Sequence, residues 1–422
     1  MKIAIDLQGC QSDGHFCRGI GRYSLSLIKS LIINSTNDEF ILVANALLND
    51  VRGEFSELVN SNSKNISYIE WAGVSNSFLS DKSNLIFYKI SQQLRSYLFS
   101  NLNADLILIT SFFDGFHDNS ITPFDKEYLL PPVFCIIHDL IPLVNPKDYL
   151  DVNPNYKEFY YEKLKELNDV DFFLTNSQST AIELGTYLSI NKDRINNISS
   201  GCDHSVFLPI HNESYNSVIK GLGKYILYCG AMDVRKNVKR LIVSYSNLSH
   251  NIKLKYKLVF VGKLTNEEVN NIRNWSKEER IHKSSIVILG YVPDDQLVDL
   301  YNNCSLFVLP STHEGFGLPA LEAMSCGAPV IGSNITSIPE VIGLSDALFN
   351  PFDVKDMTRV ISSALSDINL NTNIRRNSLE RSKLFSWEKC SFDAYKYFIQ
   401  KVNFNSIEQF SKDQYKQNSY KK

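Results

Sequence analysis

Residues 310–327 read Pro-Ser-Thr-His-Glu-Gly-Phe-Gly-Leu-Pro-Ala-Leu-Glu-Ala-Met-Ser-Cys-Gly and predict a turn between a strand and a short helix. The preceding residues 304–310, Cys-Ser-Leu-Phe-Val-Leu-Pro, are typical of a short buried strand that ends at a proline. Pro319 suits the first helical turn, where its missing N–H would be unpaired anyway, and Gly327 suits the left-handed residue just past a helix. Free backbone N–H groups and the positive end of the helix dipole then make the glycine-rich turn an anion site, and phosphate is the usual anion.

Two carboxylates bracket this turn, with Glu314 inside the turn and Glu322 inside the helix. Both side chains are expected to face the same pocket. Carboxylates beside a phosphate site are better suited to bind hydroxyl groups than to bind the phosphates. A phosphate site combined with hydroxyl-binding carboxylates indicates a sugar nucleotide as the ligand. The alternative is a glycine turn that only packs a helix onto a sheet.

The run E-G-F-G-L-P-A-L-E, with glutamates eight residues apart, resembles the signature of retaining GT-B glycosyltransferases of family 4, also called group 1, which include bacterial mannosyl- and glucosyltransferases. The resemblance covers about residues 15–400 and is most specific in 225–340. It implies an α/β fold with two Rossmann-like parallel-sheet domains facing across a deep cleft. The implied reaction is retaining transfer of a hexose from a nucleotide diphosphate sugar to a sugar hydroxyl.

The composition of the 422 residues, 44% hydrophobic and 21% charged, is typical of a globular protein of two or three domains. A net charge of −3 argues against nucleic acid as a partner. The eight cysteines contain no C-x-x-C pair and indicate buried thiols in a reducing cytosol. No apolar run reaches the roughly 18 residues that span a bilayer. Residues 1–6 are predicted to form the first strand, and they lack the apolar h-region and the cleavage site of a signal peptide. A cytoplasmic protein is therefore expected.

Short apolar segments alternate with helical periodicity in both halves, which predicts a parallel sheet in each. Strands are predicted at 2–7, 40–44, 106–110, 133–138, 172–175, 225–229, 257–261, 286–289, 306–309 and 329–332. We predict an N-terminal acceptor-binding domain at 1–208, a C-terminal nucleotide-sugar-binding domain at 209–385 and a C-terminal helix at 386–404. In the resembled family this helix crosses back to the first domain. The Ser-, Gln-, Lys- and Asn-rich tail at 405–422 is predicted to be disordered.

A basic pair follows the first strand of the second domain, in Tyr-Cys-Gly-Ala-Met-Asp-Val-Arg-Lys-Asn at 228–237. Arg235 and Lys236 can neutralise a diphosphate as the glycosidic bond breaks, which is usually the largest catalytic effect in such a site. The alternative is a solvated basic helix start, which the helix dipole disfavours. Members of the resembled family often carry an arginine directly after the strand-end glycine, here Gly230, but Ala231 stands at that position. The R-K-N triplet of many mannosyltransferase-like members supplies the charge from Arg235 instead.

The resemblance implies a role for each residue of the donor pocket. Glu322 binds the hydroxyl groups of the nucleotide ribose, and Glu314 contacts the donor sugar near the reacting carbon. The amides of Gly317 and Leu318 hold the leaving diphosphate together with the two cations. The implied mechanism is same-face attack through an oxocarbenium-like transition state, since no pair of carboxylates flanks the sugar as in a retaining glycosidase.

Two further strand ends complete the predicted donor pocket. Tyr291 and Val292, in Gly-Tyr-Val-Pro at 290–293, resemble the loop whose backbone holds the nucleobase. Residues 333–340 end the next strand and are expected to close the pocket, with side chains that are either donor contacts or purely structural.

Three loops of the first half carry the candidate acceptor residues. His138, in His-Asp-Leu-Ile-Pro, closes a strand and is expected to hydrogen-bond a sugar hydroxyl or to position the acceptor, against the alternative of a structural histidine. Gly19, Gly21 and Arg22 belong to R-G-I-G-R-Y, in which the Gly19-x-Gly21 pair is expected to open the first helix. This segment is similar to the flexible acceptor-side loop of O-antigen-type mannosyltransferases. There Arg22, together with Arg18, would meet an acceptor or donor phosphate. The alternative is a glycine hinge capped by surface arginines.

Asp114 follows another first-domain strand, in Thr-Ser-Phe-Phe-Asp-Gly-Phe at 110–116, and is the candidate ligand of the acceptor hydroxyl. The three phenylalanines of this segment are expected either to stack on a sugar or to pack in the core. The Gly-x-Gly of the first loop lacks the third glycine of a dinucleotide fingerprint, so NAD is not expected.

No D-x-D stands in a loop where a metal-bridged diphosphate would need it, since Asp169 and Asp171 fall at the start of a strand. Lysine, arginine and a helix N-terminus can neutralise the diphosphate charge in place of a metal ion, so neither a metal nor another cofactor is expected. The R-G-I-G-R-Y, H-D-L-I-P and R-K-N blocks together favour mannosyl transfer from GDP-mannose in surface-polysaccharide assembly, by analogy with the resembled family.

The alternatives are a UDP- or dTDP-sugar transferase of the same fold, a GT-B sugar-nucleotide epimerase, or an inactive sugar-nucleotide-binding subunit. The expected partners are a nucleotide sugar and a lipid-linked oligosaccharide acceptor of O-antigen type, and no nucleic acid. A lipid-linked acceptor would place the protein peripherally at the inner face of the plasma membrane. Helix 84–99, with Leu85, Tyr88, Leu94 and Phe99 among few charges, is the candidate docking helix, against a plain core helix.

Overall fold

The computed structural model describes residues 1–16, 19–35, 37–60, 65–74, 85–125, 127–210 and 221–402. Arg18 and the predicted tail at 405–422 therefore lie outside the described residues. The chain forms two compact units. The first comprises Met1–Asn176, Thr180–Ser199 and the chain from Trp387, and the second comprises Ser177–Ser179 and Ser200–Ser386.

The sheet of the first unit contains, among the described residues, seven parallel strands in the order β3-β2-β1-β4-β5-β6-β7. They are β1 (Lys2–Asp6), β2 (Glu39–Asn45), β3 (Asn65–Trp71), β4 (Leu106–Ile109), β5 (Val133–Ile137), β6 (Phe172–Thr175) and β7 (Ile195–Asn197). The order reverses between β1 and β4, where Asp6 lies beside Ile109 at the carboxyl ends. In an open parallel sheet such a reversal opens a crevice at the carboxyl edge, where ligands bind.

Both faces of the first sheet are buried at the central strand β1. Ile3 and Ile5 of β1 join one apolar cluster, and Ala4 between them joins the other. Continuous apolar strands of this kind are expected of a parallel sheet that helices cover on both sides. The C-terminal helix (387–402) contributes Cys390 and Phe398 to the cluster of Ile3, so this helix packs on the first unit.

Local signals start several helices of the first half. Asn153 caps the helix that begins at Pro154, because its side chain accepts a hydrogen bond from the backbone N–H of Tyr156. The helices described here are α1 (Gln8–Gln11), α2 (Gly19–Asn34), α3 (Ser56–Asn60), α4 (Leu85–Ser100), α5 (Ile141–Val144), α6 (Pro146–Tyr149), α7 (Pro154–Glu166) and α8 (Gln178–Leu188).

The sheet of the second unit repeats this topology. Its described strands, all parallel, have the order β10-β9-β8-β11-β12-β13. They are β8 (Lys224–Cys229), β9 (Tyr256–Val261), β10 (Ile286–Gly290), β11 (Leu306–Leu309), β12 (Val330–Ser333) and β13 (Leu348–Phe349). The order again reverses, here between β8 and β11, where Phe307 pairs with Leu227.

The helices of the second unit also carry capping side chains. Thr265 and Glu268 form a capping box, and Asp353 and Asp367 each accept backbone hydrogen bonds at a helix start. The described helices are α9 (Val238–Ser246), α10 (His250–Lys255), α11 (Asn266–Glu278), α12 (Asp294–Asn303), α13 (Leu318–Ser325), α14 (Ile338–Ile342), α15 (Val354–Ser366) and α16 (Ile368–Ser382).

The predicted strands are confirmed to within one residue at each end, whereas the sequence pattern does not predict β3, β7 and β13. β7 and β13 have only three and two residues, too few to show a period. β3 is an edge strand with several exposed side chains, so polar residues interrupt its apolar run.

Helix α4 matches the predicted docking helix 84–99 to within one residue at each end, but its exposed face differs from the predicted one. Tyr88 and Phe99 are buried, while Leu94 is exposed. The other exposed apolar side chains that the structure describes on α4 are Ile86, Phe87, Ile90 and Tyr97, while the side chain of Leu85 is outside the described part. Because α4 is apolar on both faces, periodicity alone does not decide which face turns inward. No helix in the described part of the chain combines the length and the apolar composition that a bilayer crossing needs.

Candidate active site

Most of the predicted donor residues lie on two loops at the carboxyl edge of the second sheet. Gly230, Arg235 and Lys236 follow β8, whereas Glu314 and Gly317 follow β11. Because β8 and β11 are neighbours, the fold brings these two loops together at the point where the strand order reverses.

The carboxylate of Glu314 is shared between both cations. Nζ of Lys236 donates to Oε1 of Glu314 at 2.6 Å, and Nη1 of Arg235 donates to Oε2 at 2.9 Å. Oγ of Ser311 donates a further hydrogen bond to Oε1 at 2.6 Å, and Arg235 also donates to the carbonyl oxygen of His313 at 3.0 Å. The assignment of Glu314 to the donor sugar alone is therefore incomplete, because both carboxylate oxygens also hold basic side chains.

These charged groups are largely removed from water. The side chains of Lys236 and Glu314 are 11% and 7% exposed. Burial alone would raise the pKa of Glu314, but the charges of Lys236 and Arg235 outweigh it and lower the pKa to about 2. Glu314 is therefore ionised at neutral pH, and a second carboxylate, that of Asp233, lies 3.4 Å from Nε of Arg235. Cations that carboxylates hold in fixed positions suit a diphosphate leaving group.

A tight turn presents the two cations. Val234–Lys236 form one turn of 3-10 helix, which the side chain of Asp233 caps. Asn237 follows in the left-handed conformation, at φ 59°, which asparagine tolerates better than most residues. Its side-chain amide donates to the carbonyl oxygens of Pro310 and Pro351 at 3.0 and 2.8 Å. The third residue of the R-K-N triplet therefore ties the loop after β8 to the chain that follows β11.

The glycine-rich turn has the geometry that its sequence predicts. Gly317 has a φ of 104°, and α13 begins directly after it with Pro319 in its first turn. Gly327 has a φ of 78° and ends the helix with the paired backbone hydrogen bonds of a Schellman motif. Since the first amides of a helix have no partner inside it, the start of α13, four residues beyond Glu314 along the chain, suits an anion.

Two hydroxyl groups of the loop after β12 support this turn. The Ser337 hydroxyl lies 3.0 Å from the carbonyl oxygen of Glu314 and 2.9 Å from that of Phe316. The backbone N–H of Glu314 donates to Oγ1 of Thr336 at 3.3 Å. Both side chains hold the backbone of the turn, as the structural alternative for residues 333–340 expects.

Glycines end three neighbouring strands of the second sheet. Gly230 follows β8, Gly262 follows β9, and Gly290 is the last residue of β10. The N–H of Gly262 donates to the carbonyl oxygen of Gly290 at 2.9 Å, and a Cβ on Gly262 would lie 2.2 Å from the carbonyl oxygen of Gly230. Only glycine permits this approach, which leaves bare backbone at the edge where a nucleotide would bind.

The remaining donor candidates belong to the same unit. Tyr291 and Val292 follow β10, and the Tyr291 side chain is 73% exposed. Glu322 lies in α13, where its Oε2 accepts a hydrogen bond from the hydroxyl of Tyr301 at 3.2 Å. Tyr301, a buried residue of α12, therefore orients the Glu322 carboxylate.

In the first unit, His138 directly follows β5 and is buried. Its Nε2 lies 3.0 Å from the carbonyl oxygen of Thr110, and because a carbonyl only accepts, we assign the ring proton to Nε2. Burial lowers the pKa of His138 to about 4, so the ring is neutral at physiological pH. Nδ1 of this tautomer can accept a hydrogen bond. Asp139 supports the loop, since it accepts a hydrogen bond from the backbone N–H of Ile141 at 3.0 Å.

Asp114 is paired with a histidine that the sequence did not single out. Its Oδ1 lies 2.9 Å from Nδ1 of His15, and the two side chains are 3% and 23% exposed, respectively. The phenylalanines beside it take the core-packing alternative, because Phe112 and Phe116 are buried and Phe113 stacks on Tyr160 at 4.7 Å between ring centroids.

Gly19, Gly21 and Arg22 lie in the first turn of α2, so the Gly19-x-Gly21 pair opens this helix. The helix begins this early because Gly21 has no side chain. A Cβ there would lie 2.4 Å from the carbonyl oxygen of His15, so glycine lets α2 start against the preceding turn. Arg22 is half-buried in this first turn.

Two comparisons connect the chain to a known family. The family model described as "Glycosyl transferases group 1" matches residues 211–381. The O-antigen chain mannosyltransferase B of Escherichia coli is 30% identical over 399 residues, which are 90% of this chain and 96% of that protein. The chain belongs to the group 1 glycosyltransferases.

This glycosyltransferase is also 35% identical over 396 residues to the serotype-specific mannosyltransferase WbdA of Escherichia coli. The match covers 92% of this chain and 46% of WbdA, so the chain spans less than half the length of that relative.

Two solved structures share the fold of this glycosyltransferase. HepE of Anabaena has a TM-score of 0.69 and 15% identity over 95% of this chain and 100% of that chain. Sucrose-phosphate synthase of Thermosynechococcus elongatus has a TM-score of 0.67 and 16% identity over 96% of this chain and 99% of that chain. At such identities they show the fold alone, which is the GT-B fold with two Rossmann-like α/β domains.

Several residues of the site carry little sequence signal. Tyr301 contacts Glu322 from a position that no motif marks. Ser311 lies in the stretch 310–327, but the pattern there does not single it out, and His15 lies in a polar loop among other candidates. Asn237 and Gly262, by contrast, could have been found from the sequence. Asn237 completes the R-K-N triplet, and Gly262 directly follows a predicted strand, as Gly230 does.

Proposed function

We propose that this glycosyltransferase transfers mannose from GDP-mannose, with retention, onto a sugar hydroxyl of a growing surface polysaccharide, and that it needs neither a metal nor another cofactor. The observation that carries the proposal is the pair of Arg235 and Lys236 on the Glu314 carboxylate, in the same turn that starts α13. Fixed cations beside a helix N-terminus suit a diphosphate leaving group. Support for mannose comes from the names of the relatives, WbdA and O-antigen chain mannosyltransferase B.

In the proposed reaction, the bond between C1 of the sugar and the diphosphate oxygen breaks while C1 bonds to the acceptor oxygen on the same face. The electron pair of the broken bond leaves with GDP, and the acceptor proton goes to a departing phosphate oxygen. Lys236, Arg235 and the amides of Gly317 and Leu318 stabilise the charge that develops on the diphosphate. Glu314 keeps the two cations in place and contacts the donor sugar.

The other candidates take the remaining parts of the substrates. Glu322 binds the ribose hydroxyls, and the backbone at Tyr291 and Val292 holds the base. The acceptor binds at the carboxyl edge of the first sheet, where Nδ1 of His138 accepts a hydrogen bond from a sugar hydroxyl and Arg22 meets a phosphate.

The proposed acceptor is a lipid-linked oligosaccharide, so the protein would work in the cytoplasm against the inner face of the plasma membrane. The exposed apolar side chains of α4, among them Ile86, Ile90 and Leu94, support a peripheral contact with that surface.

A thermal-shift panel of GDP, UDP and dTDP, each with and without Mg²⁺, tests the donor site. A ligand at about 100 times its Kd adds roughly 2.7 kcal/mol to the unfolding free energy, which is a readily measured shift. We expect a shift with GDP that Mg²⁺ does not change. A shift with UDP or dTDP instead would reject GDP-mannose, and no shift with any diphosphate would reject the turn at Glu314 as the site.

Transfer from labelled GDP-mannose to a mannoside tests the reaction itself. GDP release that requires the mannoside is expected. Turnover of the donor without an acceptor would instead indicate an epimerase, and GDP binding without any turnover would indicate an inactive subunit.

A further inference from the structure

The strand-order reversal of the first unit brings together two polar loops, one after β1 and one after β4. Oγ of Ser12 donates to Oδ2 of Asp118 at 2.6 Å, and the N–H of Asp13 donates to the same oxygen at 3.1 Å. Nδ1 of His15 lies 2.9 Å from Oδ1 of Asp114. Two carboxylates of the second loop therefore hold the first loop at the crevice where a parallel sheet of this topology binds its ligand.

Within this arrangement His15 is fixed at both its side chain and its backbone. Oδ1 of Asp114 lies 2.9 Å from Nδ1, which is an ion-pair contact when the ring is protonated. The carbonyl oxygen of His15 lies so close to Gly21 that a Cβ there would be 2.4 Å away. The Asp114 side chain is 3% exposed and that of His15 is 23% exposed, so the ring is the member of the pair that a ligand can reach.

We propose that His15 is an acceptor-binding residue, in which Nδ1 is held by Asp114 and Nε2–H donates a hydrogen bond to an oxygen of the acceptor sugar. Asp114, expected from the sequence to bind the acceptor hydroxyl directly, is then a positioning residue that acts through His15. This inference rests on the proposed function and adds to it the group that recognises the acceptor.

The charges around the ring favour its protonated form. Burial alone would lower the pKa of His15, but the carboxylates of Asp114, Asp118 and Asp139 outweigh it and raise the pKa. Other titratable groups also act on this cluster, among them Lys163, whose charge reaches Asp114, and His138, which is neutral. The carboxylates of the cluster also act on Tyr156, Tyr160, Cys135 and Cys10 and help to raise the pKa of each.

A pH dependence follows from the two ring nitrogens. Below its raised pKa the imidazolium carries a proton on each nitrogen, so it can serve Asp114 and the acceptor together. Above that pKa a single proton remains, and the Asp114 carboxylate keeps it on Nδ1, so Nε2 no longer donates. The KM for the acceptor should therefore rise as the pH increases through the pKa of His15, while GDP binding stays constant.

The test measures transfer from GDP-mannose to a fluorescently labelled mannoside for the full chain and for His15→Ala. We expect the acceptor KM to rise about tenfold, as the loss of one charged hydrogen bond implies, with GDP affinity unchanged. His15→Gln, which keeps an N–H donor, should recover part of the loss. His117→Gln is the matched control, since His117 is an exposed histidine of the loop that carries Asp114.

An unchanged acceptor KM in His15→Ala, or an equal loss of GDP affinity, would overturn the inference and leave His15 a structural residue. If the alanine variant does not fold, the pH profile of the acceptor KM in the wild-type chain decides, and a flat profile would overturn the inference equally. Absence of transfer by the wild-type chain would reject the proposed function itself, which distinguishes that failure from the failure of His15.

Discussion

The carboxylate of Glu314 accepts hydrogen bonds from Ser311, Arg235 and Lys236 and lies almost entirely out of water. Removing one partner of a buried ion pair leaves the other charge without compensation, so each of these groups depends on the others. Glu314 thus keeps two basic side chains aligned where a donor diphosphate would meet them.

Replacing Glu314 by glutamine keeps the shape of the side chain and removes its charge. We expect the free energy of unfolding to fall by about 3 kcal/mol, since breaking a buried pair typically costs about 3–5 kcal/mol. The transfer rate should fall at least ~100-fold, because the cations lose their alignment. Denaturant unfolding and transfer kinetics measure both effects. Glu278→Gln, at an exposed glutamate of the same unit, should change neither. A glutamine variant with the full transfer rate would contradict this role.

The pKa of Glu314 also predicts a pH dependence of stability. Its pKa is about 2 in the folded protein, against an ordinary value of 4.5. A carboxylate with a lowered folded pKa stabilises the fold above its ordinary pKa and loses that contribution as the pH falls through the folded pKa. The difference in melting temperature between the wild type and Glu314→Gln should therefore be largest above pH 4.5 and shrink toward pH 2. A difference that stays constant over this range would disprove the ionised pair.

At the scale of elements, the glycines that end β8, β9 and β10 decide how closely the strand ends approach. Gly262→Ala would place its Cβ 2.2 Å from the carbonyl oxygen of Gly230. We expect a loss of about 1–3 kcal/mol of unfolding free energy, as for other overpacked sites, together with weaker GDP binding. Denaturant unfolding and calorimetric titration measure these. Gly53→Ala, where nothing lies within 4 Å, is the control. Unchanged stability in Gly262→Ala would show that the strand ends can separate.

Helix α4 turns one apolar face inward and leaves another exposed. Nη2 of Arg95, on the buried face, donates to Oδ2 of Asp6 at 2.6 Å, and a buried charge needs such a partner. Lys89 is the one charged residue among the exposed side chains of α4 that the structure describes. The pairing of Arg95 therefore fixes which face of α4 stays exposed.

We expect Ile90→Glu to weaken sedimentation of the protein with phosphatidylethanolamine/phosphatidylglycerol vesicles, because it puts a negative charge in the middle of the exposed apolar face. Transfer to a soluble mannoside should stay unchanged. Leu254→Glu, at an exposed leucine of α10 in the other unit, should leave vesicle binding unaltered. Equal vesicle binding by all three proteins would reject α4 as the contact surface.

At the scale of the whole molecule, we expect transfer to proceed without a divalent cation. Lys236, Arg235 and the start of α13 supply the positive charge that a metal would otherwise bring to the diphosphate. Transfer kinetics in EDTA should match those in Mg²⁺. A loss of rate in EDTA that Mg²⁺ restores would show that these groups are insufficient.

In both units candidate residues lie on two loops that meet where the strand order of the sheet reverses. The loops after β1 and β4 meet in the first unit, and the loops after β8 and β11 meet in the second. The predicted strands and the turn at Gly317 could be read from the sequence, because apolar runs, glycine and proline act on their own neighbourhood. The edge strand β3 and the exposed face of α4 could not, because contacts with other parts of the chain decide them.

Spacings of a few residues act locally, and they are enough to predict the alternation of strands and helices, the strand-to-helix turn around Gly317 and the residue types that suit a sugar nucleotide. The three-dimensional fold is needed to show that Glu314 binds Lys236, 78 residues away, and that Asp114 lies beside His15. Both pairs arise because strands distant in sequence become neighbours where the order of a parallel sheet reverses, and no local pattern encodes that pairing.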